Sequence, residues 1–183
     1  SAASDVYKRQ MVSSMDHKRA YDGDKGPNTG GMGTISPNPY YTPEIAARCM
    51  EEIFLPTIRA MRQEGRPFKG CLYFGLMLTP AGPKVIEYNC RFGDPETQVV
   101  LPLLEGDLLH IMEACTNGTL ADEDVKFSDG AAACVILASG GYPVAYEKGK
   151  PISGLVDGQL PDEENVTVYH SGTALTEDGT LVT

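Results

Sequence analysis

The sequence predicts an α+β protein, in which antiparallel strands combine with helices. Three observations carry this. An apolar stripe recurs at helical spacing through residues 45–54. Two strand-like runs flank the turn Pro80-Ala81-Gly82-Pro83. Helical spacing then disappears after Asp129-Gly130, leaving short apolar runs separated by Gly and Pro.

Residues 1–10 have neither an apolar core of a signal peptide nor any periodicity, and read as a foreign extension. Residues 22–33 run Asp22-Gly23-Asp24-Lys25-Gly26-Pro27-Asn28-Thr29-Gly30-Gly31-Met32-Gly33, a composition that predicts a loop. Thr42 is a good N-cap and Pro43 suits the first helical position. Ile45, Cys49, Ile53 and Ala46, Met50, Phe54 form the apolar stripe of that helix. Pro56 is expected to kink or split it, with a second part running to about Gln63 and Gly65 as the stop. Residues 71–79 and 84–92 form the hairpin. Asp94-Pro95-Glu96 predicts a cap and a helix start, apolar through Val99, Val100, Leu103 and Leu104 but interrupted by Pro102. Residues 107–115 predict a further helix, ended by Asn117-Gly118. Beyond it, strands are expected at 131–139, 152–156 and 166–170. Glu177-Asp178-Gly179 signals a turn, and Leu181 begins a strand that has no continuation. The change of pattern divides the chain into residues 11–125 and 126–183.

Composition excludes several classes. The 183 residues are 42% hydrophobic with a net charge of −10, and no basic stripe stands out. That argues against a nucleic-acid surface, while leaving room for a local patch of phosphate donors. No apolar run is long enough to span a bilayer. Cys49, Cys71, Cys90, Cys115 and Cys134 form no CxxC pair, so neither a zinc cluster nor a redox motif is indicated. They read as small buried hydrophobes of a cytoplasmic protein.

Chemistry concentrates on the strand through Val85-Ile86-Glu87-Tyr88-Asn89-Cys90-Arg91-Phe92. Strand side chains alternate, so Val85, Glu87, Asn89 and Arg91 share one face. Ile86, Tyr88, Cys90 and Phe92 share the other, which is expected to be core. Glu87 and the Asn89 side-chain oxygen are hard ligands suited to Mg²⁺. Arg91 can clamp a phosphoryl oxygen. The polar, solvent-facing side of an amphipathic hairpin is an equally good reading of this strand alone. After it, Gly93 permits close approach of backbone to a ligand, and Asp94 either caps a helix or orients a substrate amine. The glycine-rich loop adds a second signal, because backbone amides in such turns form anion-binding concavities. Asn28, Thr29, Gly30, Gly31 and Gly33 are candidates to wrap a phosphate, with Lys18, Arg19 and Lys25 adding positive charge. Asp16, Asp22 and Asp24 partly cancel it. A plain surface loop is the competing reading. His17 reads as exposed, and His110 and His170 as structural.

Several motifs together resemble the phosphoribosylamine–glycine ligase (glycinamide ribonucleotide synthetase) family of the ATP-grasp superfamily. They are Asp16-His17-Lys18-Arg19, the run from Gly26 to Gly33, Gly75-Leu76-Met77, and the run from Glu87 to Glu96. Ala138-Ser139-Gly140-Gly141-Tyr142-Pro143 and His170-Ser171-Gly172-Thr173 resemble its C-terminal domain. The likeness covers residues 11–183. It implies the C-terminal part of an ATP-grasp domain, an antiparallel sheet with helices, followed by a truncated β-rich domain. It further implies a cytoplasmic monomer using Mg²⁺ or Mn²⁺, with ATP, glycine and 5-phosphoribosylamine as small-molecule substrates. Glycinamide ribonucleotide, ADP and phosphate would form through a glycyl phosphate, a step of de novo purine synthesis. Neither nucleic acid nor membrane enters that chemistry. By the resemblance Glu87 and Asn89 hold the metal, and Arg91 holds the transferring phosphoryl or the glycine carboxylate. Lys18, Asp24, Asn28, Thr29, Gly30, Gly31 and Asp94 would meet substrate or phosphate. The family's adenine-gripping residues and a nucleotide lysine would precede Met11, so the 183-residue chain alone is expected not to catalyse ligation. Two rivals remain: another ATP-grasp carboxylate–amine ligase, and a non-catalytic Mg-nucleotide-binding module. Glycine- and phosphoribosylamine-dependent ADP release from the completed reading frame separates them.

Overall fold

Residues 10–122 and 125–183 are described by the computed structural model. The stretch read as foreign therefore lies, except for Gln10, outside the described residues. The architecture is α+β, with antiparallel sheets and helices.

The first segment contains β1 (Met15–Asp16), β2 (Arg19–Tyr21), β3 (Lys25–Asn28) and β4 (Gly33–Ser36). Residues 22–33 are thus not all loop: β3 pairs with β2, with Asp22-Gly23-Asp24 at the tip. Gly23 (φ 71°) and Asp24 (φ 57°) take the left-handed backbone that Gly and Asp tolerate best. Gly26 is required by packing, since a Cβ there would stand 2.4 Å from the Tyr21 ring. Pro27 is tolerated because a two-stranded pair has edge positions that need no donor.

Helix α1 (Pro43–Cys49) starts where predicted, with Thr42 Oγ1 accepting from the Ile45 amide at 3.4 Å. Pro56 does not split the helix. A widened turn at Met50–Phe54 precedes it, in which the Leu55 amide reaches the Met50 carbonyl, and α2 (Leu55–Gln63) follows directly. Widening the turn relieves the crowding between the proline ring and the carbonyl four residues back. Beyond α2, Gly65 (φ 71°) donates to Arg62 and Arg66 donates to Met61, which satisfies two terminal carbonyls and ends the helix.

The hairpin is β5 (Tyr73–Thr79) with β6 (Gly82–Asn89), so Arg91 lies just past the strand. Its register is interrupted: Gly75 faces Glu87, while Leu76 faces Val85. Ile86 is therefore the extra residue of a β-bulge. This corrects the expected core face. Ile86 is 62% exposed, Tyr88 50%, and Cys90 is exposed as well. Strict alternation fails at the bulge, and that face is covered only in part, where Thr57 of α2 reaches the Tyr88 hydroxyl at 3.5 Å. The contacts that do form run sideways: Phe54 stacks on Phe74 at 4.4 Å, and Phe74 meets Tyr88 edge-on at 5.3 Å.

After the hairpin come α3 (Thr97–Val100), a tight turn at Leu101–Leu103 that contains Pro102, β7 (Leu104–Glu105) and α4 (Leu108–Asn117). Asp107 caps α4 by accepting from the Leu109 and His110 amides, and Gly118 (φ 78°) ends it. Asp94 does not cap α3. The cap position belongs to Glu96, and Asp94 instead accepts from the Gln98 side chain at 2.7 Å. β8 (Lys126–Phe127) pairs with β7, and β9 (Ala132–Val135) completes a sheet of order β1-β4-β9. Strands on either side of residue 125 therefore share hydrogen bonds. Val99 and Val100 of α3 are buried, as are Thr34 and Ser36 of β4.

Residues 152–156 and 166–170 are not strands. The Gln159 side-chain amide takes a partner strand's place, donating to the Val168 carbonyl and accepting from its amide. β10 (Ala174–Leu175) and β11 (Leu181–Val182) close on the predicted turn, so Leu181 does have a partner. Among the cysteines only Cys49 is buried. Burial raises the Cys49, Cys71, Cys115 and Cys134 thiols above their ordinary pKa, which keeps them protonated and unreactive. Among the described residues no helix is long and apolar enough to cross a membrane.

Candidate active site

One open cleft of about 1910 Å³ runs between the hairpin and the first strands. That is larger than the roughly 300–1,000 Å³ of a typical ligand pocket. Glu87, Asn89 and Arg91 line it from β6 and its exit. Ile86 lines it too, while Val85, Tyr88 and Cys90 do not. The bulge thus shifts the polar face by one residue but keeps its three candidate members together.

Arg91 is exposed at the cleft, its Nη1 donating to the Phe92 carbonyl at 2.8 Å. Asp94 follows on the same rim. Lys18, Asp24, Asn28, Thr29 and Gly30 line the facing wall. Gly31, Gly33 and Lys25 do not line the cleft, and the role of Gly31 is contact. A Cβ there would stand 2.3 Å from Pro95 Cδ, so the glycine-rich hairpin rests directly on Asp94-Pro95-Glu96.

The loop amides are largely committed. Thr29 donates to the Lys18 carbonyl, Met32 to the His17 carbonyl and Gly31 to Thr29 Oγ1. These bonds hold the loop against β1 and β2, and they remove most of the amides from any phosphate cradle. The cationic side chains remain. Lys18 Nζ pairs with Asp16 Oδ2 at 2.5 Å and donates to the Gly30 carbonyl at 3.2 Å. Burial works against its charge, but the Asp16 carboxylate, with Glu96 and Glu87 adding to the field, leaves the ammonium's pKa raised. His17, as expected, is exposed.

Glu96 is a site residue that sequence reasoning missed. It is 4% exposed, and Oε1 accepts from the Tyr73 hydroxyl at 2.9 Å. Gly93 makes room for it, since a Cβ there would stand 2.2 Å from Glu96 Oε2. Burial and then the Glu96 carboxylate push the Tyr73 phenol up, so it stays a donor. The signal for this burial was the glycine three residues before the acid.

As a metal site the donor set is hard and sparse. Glu87 and Asn89 offer a carboxylate and an amide oxygen two residues apart on the cleft side of β6. Among the described residues no cluster of three His, Cys, Asp or Glu side chains exists. Two protein oxygens completed by phosphate and water suit Mg²⁺, and the set is wrong for a thiolate or imidazole site.

Comparison with known proteins bears on this cleft. The family "Phosphoribosylglycinamide synthetase, ATP-grasp (A) domain" matches residues 2–97. "Phosphoribosylglycinamide synthetase, C domain" matches residues 132–183. The first match thus begins within the stretch read from sequence as foreign. A phosphoribosylamine–glycine ligase of Vibrio parahaemolyticus is 50% identical over 94% of this chain and 40% of its own length. The bifunctional purine biosynthetic protein ADE1 of Schizosaccharomyces pombe is 48% identical over 96% of this chain and 22% of its own. The crystal structure of phosphoribosylamine–glycine ligase from Thermotoga maritima superposes with a TM-score of 0.78 at 39% identity. It covers 94% of this chain and 41% of that one. The chain therefore spans about 40% of the length of the single-function ligases it matches. With its ATP-grasp segment matched over residues 2–97 and its C-domain segment over 132–183, the chain belongs to the phosphoribosylglycinamide synthetase family.

Proposed function

We propose that this chain supplies the metal and phosphoryl side of an ATP-dependent ligase that joins glycine to 5-phosphoribosylamine. The products are glycinamide ribonucleotide, ADP and phosphate. One observation carries the reading: a single cleft collects Glu87, Asn89 and Arg91 together with the glycine-rich hairpin and the Gly93-Asp94-Pro95-Glu96 turn. A generic Mg-nucleotide module needs the first three residues but not the other two features.

Glu87 and Asn89 would hold Mg²⁺ or Mn²⁺, which would supply charge neutralisation for phosphoryl transfer. Arg91 gives up its bond to the Phe92 carbonyl and turns its guanidinium onto the transferring phosphoryl or the glycine carboxylate. The glycine carboxylate oxygen takes the γ-phosphoryl and ADP leaves. The ribosylamine nitrogen then attacks the acyl carbon, losing a proton as phosphate departs. Lys18, Asp24, Asn28, Thr29 and Gly30 meet the phosphoribosyl substrate from the facing wall, with Asp94 at the rim. Gly31 serves by contact with Pro95 rather than with the ligand.

The test is Glu87→Gln in a full-length ligase that carries this segment. Metal-dependent, glycine-dependent ADP release should be lost while the circular dichroism spectrum is unchanged. Wild-type turnover in that variant overturns the metal assignment.

A further inference from the structure

The reading above leaves Gln98 without a task, although its side chain is tied to the exposed carboxylate on the cleft rim. Gln98 is the second residue of α3 and does not itself line the cleft. Its Nε2 donates to Asp94 Oδ1 at 2.7 Å. Its Oε1 is buried and accepts from no described residue. The reverse orientation of the amide would set Oε1 against the Asp94 carboxylate, so the network decides which end points where. Proteins pair nearly all buried polar atoms, and an orphaned amide oxygen asks for a reason. An apolar side chain of the same length would fill the space without that penalty. The amide is therefore explained by its donor end, and its donor end serves Asp94.

Asp94 has use for such a tie. It is exposed and lines the cleft. A free surface aspartate turns among its rotamers and gives up that freedom when it binds a ligand. Here Oδ1 is already engaged, while Oδ2 accepts from no described residue. The support behind the pair is rigid. Thr97 donates to the Gly93 carbonyl through its amide, at 3.1 Å, and through its hydroxyl, which closes the backbone turn around Asp94. Val99 and Val100, which follow Gln98, are buried and pin α3. Asp94 also adjoins Pro95, on which Gly31 of the glycine-rich hairpin rests. Thr29 and Gly30 of that hairpin line the same cleft. The carboxylate thus belongs to the turn that touches the wall assigned to the phosphoribosyl substrate.

We propose that Gln98 is a positioning residue, which orients the Asp94 carboxylate so that Oδ2 accepts an N–H of the amine nucleophile. The proposal rests on the ligase reading. Among the donors of 5-phosphoribosylamine, the amine is the one that gains positive charge as its lone pair attacks the acyl carbon. An oriented carboxylate beside it stabilises that charge more in the transition state than in the ground state. A contact to a ribose hydroxyl is equally strong in both and acts on KM alone. The competing account is that Gln98 only packs α3.

The experiment uses a full-length ligase carrying this segment, with steady-state kinetics for each of the three substrates. Gln98→Met keeps the volume and removes the donor. Its kcat should fall about 10- to 100-fold, the scale of one charged hydrogen bond, while KM for ATP and for glycine stays within about twofold. Asp94→Ala should lose at least as much. Adding Gln98→Met to Asp94→Ala should cost no more than about a further twofold, because the glutamine acts through the aspartate. Additive losses in the double variant, or a Gln98→Met enzyme with lower Tm and wild-type kcat, overturn the positioning role. A higher KM for 5-phosphoribosylamine with kcat unchanged overturns the assignment to the amine. Should Gln98→Met not fold, Gln98→Asn, whose amide is one methylene short of Asp94, carries the same readouts. A wild-type enzyme that releases no ADP in response to glycine and 5-phosphoribosylamine refutes the ligase reading instead.

Discussion

Gly31→Ala tests the contact on which the two halves of the cleft depend. Gly31 has φ 146°, a backbone that L side chains rarely adopt. Forcing alanine into it costs about 1–3 kcal/mol. The new methyl would also stand 2.3 Å from Pro95 Cδ and 2.8 Å from Asp16 Oδ1. Overpacking of this kind costs about 1–3 kcal/mol more, since both neighbours are buried and held by ring or ion pair. The total is roughly 2–6 kcal/mol. At about 2–4 °C per kcal/mol for a chain of this size, Tm should fall by roughly 4–24 °C. Thermal denaturation followed by circular dichroism reads the shift. Gly172→Ala is the control: its φ is ordinary for any residue and a Cβ meets nothing within 4 Å. That change should stay within about 0.5 kcal/mol of the parent. A Gly31→Ala protein that melts with the control would refute the packing of the hairpin onto Pro95.

Two further outcomes follow from buried and capping groups. Tyr73→Phe leaves Glu96 Oε1 without its donor and should lower stability by about 1–3 kcal/mol in urea denaturation; an unchanged midpoint would show that Glu96 is solvated. The Tyr73 phenol is raised in the folded state, so its contribution is full below about pH 10 and is lost as pH rises through the higher folded value. Tyr73→Phe should therefore reduce the slope of the alkaline limb of the stability profile, leaving the contributions of Lys18, Tyr41 and the four raised cysteines, which are shifted in the same sense. Asp107→Ala removes the acceptor for the Leu109 and His110 amides and should cost about 0.5–2 kcal/mol by the same denaturation assay, while Asp107→Ser should recover most of it.

What the sequence made legible was local. Thr42, Gly65 and Gly118 sit where caps and stops were read, because one turn of backbone decides them, and Asp107, read as the first residue of its helix, is the cap of it. The hairpin and the cleft-side grouping of Glu87, Asn89 and Arg91 were legible for the same reason: side-chain alternation is a property of the strand. The bulge at Ile86 was not, since an unpaired residue exists only relative to a partner strand. Nor was the burial of Glu96, which depends on a tyrosine 23 residues away. An acid after Asp-Pro reads as the exposed first turn of a helix. Asp16 entered the sequence reading as a charge that offsets its neighbours and as the first residue of the Asp16-His17-Lys18-Arg19 motif. Its orphan oxygen appears once Gly31 and Pro95 close around it. The strand at Lys25–Asn28 was hidden by Gly26 and Pro27, and Gly26 is there to admit the Tyr21 ring.

The bulge at Ile86 gives one strand two phases. Before it, Gly82 lies under the Arg48 guanidinium of α1, and a Cβ there would stand 2.2 Å from Nη2. After it, the side chains answer to the cleft. A strand of uniform register would couple these duties, because turning one residue toward the cleft would turn every second residue away from the helix. The extra residue uncouples them. Gly82 is fixed by the helix, Glu87, Asn89 and Arg91 by the cleft, and Ile86 is the joint at which one constraint gives way to the other.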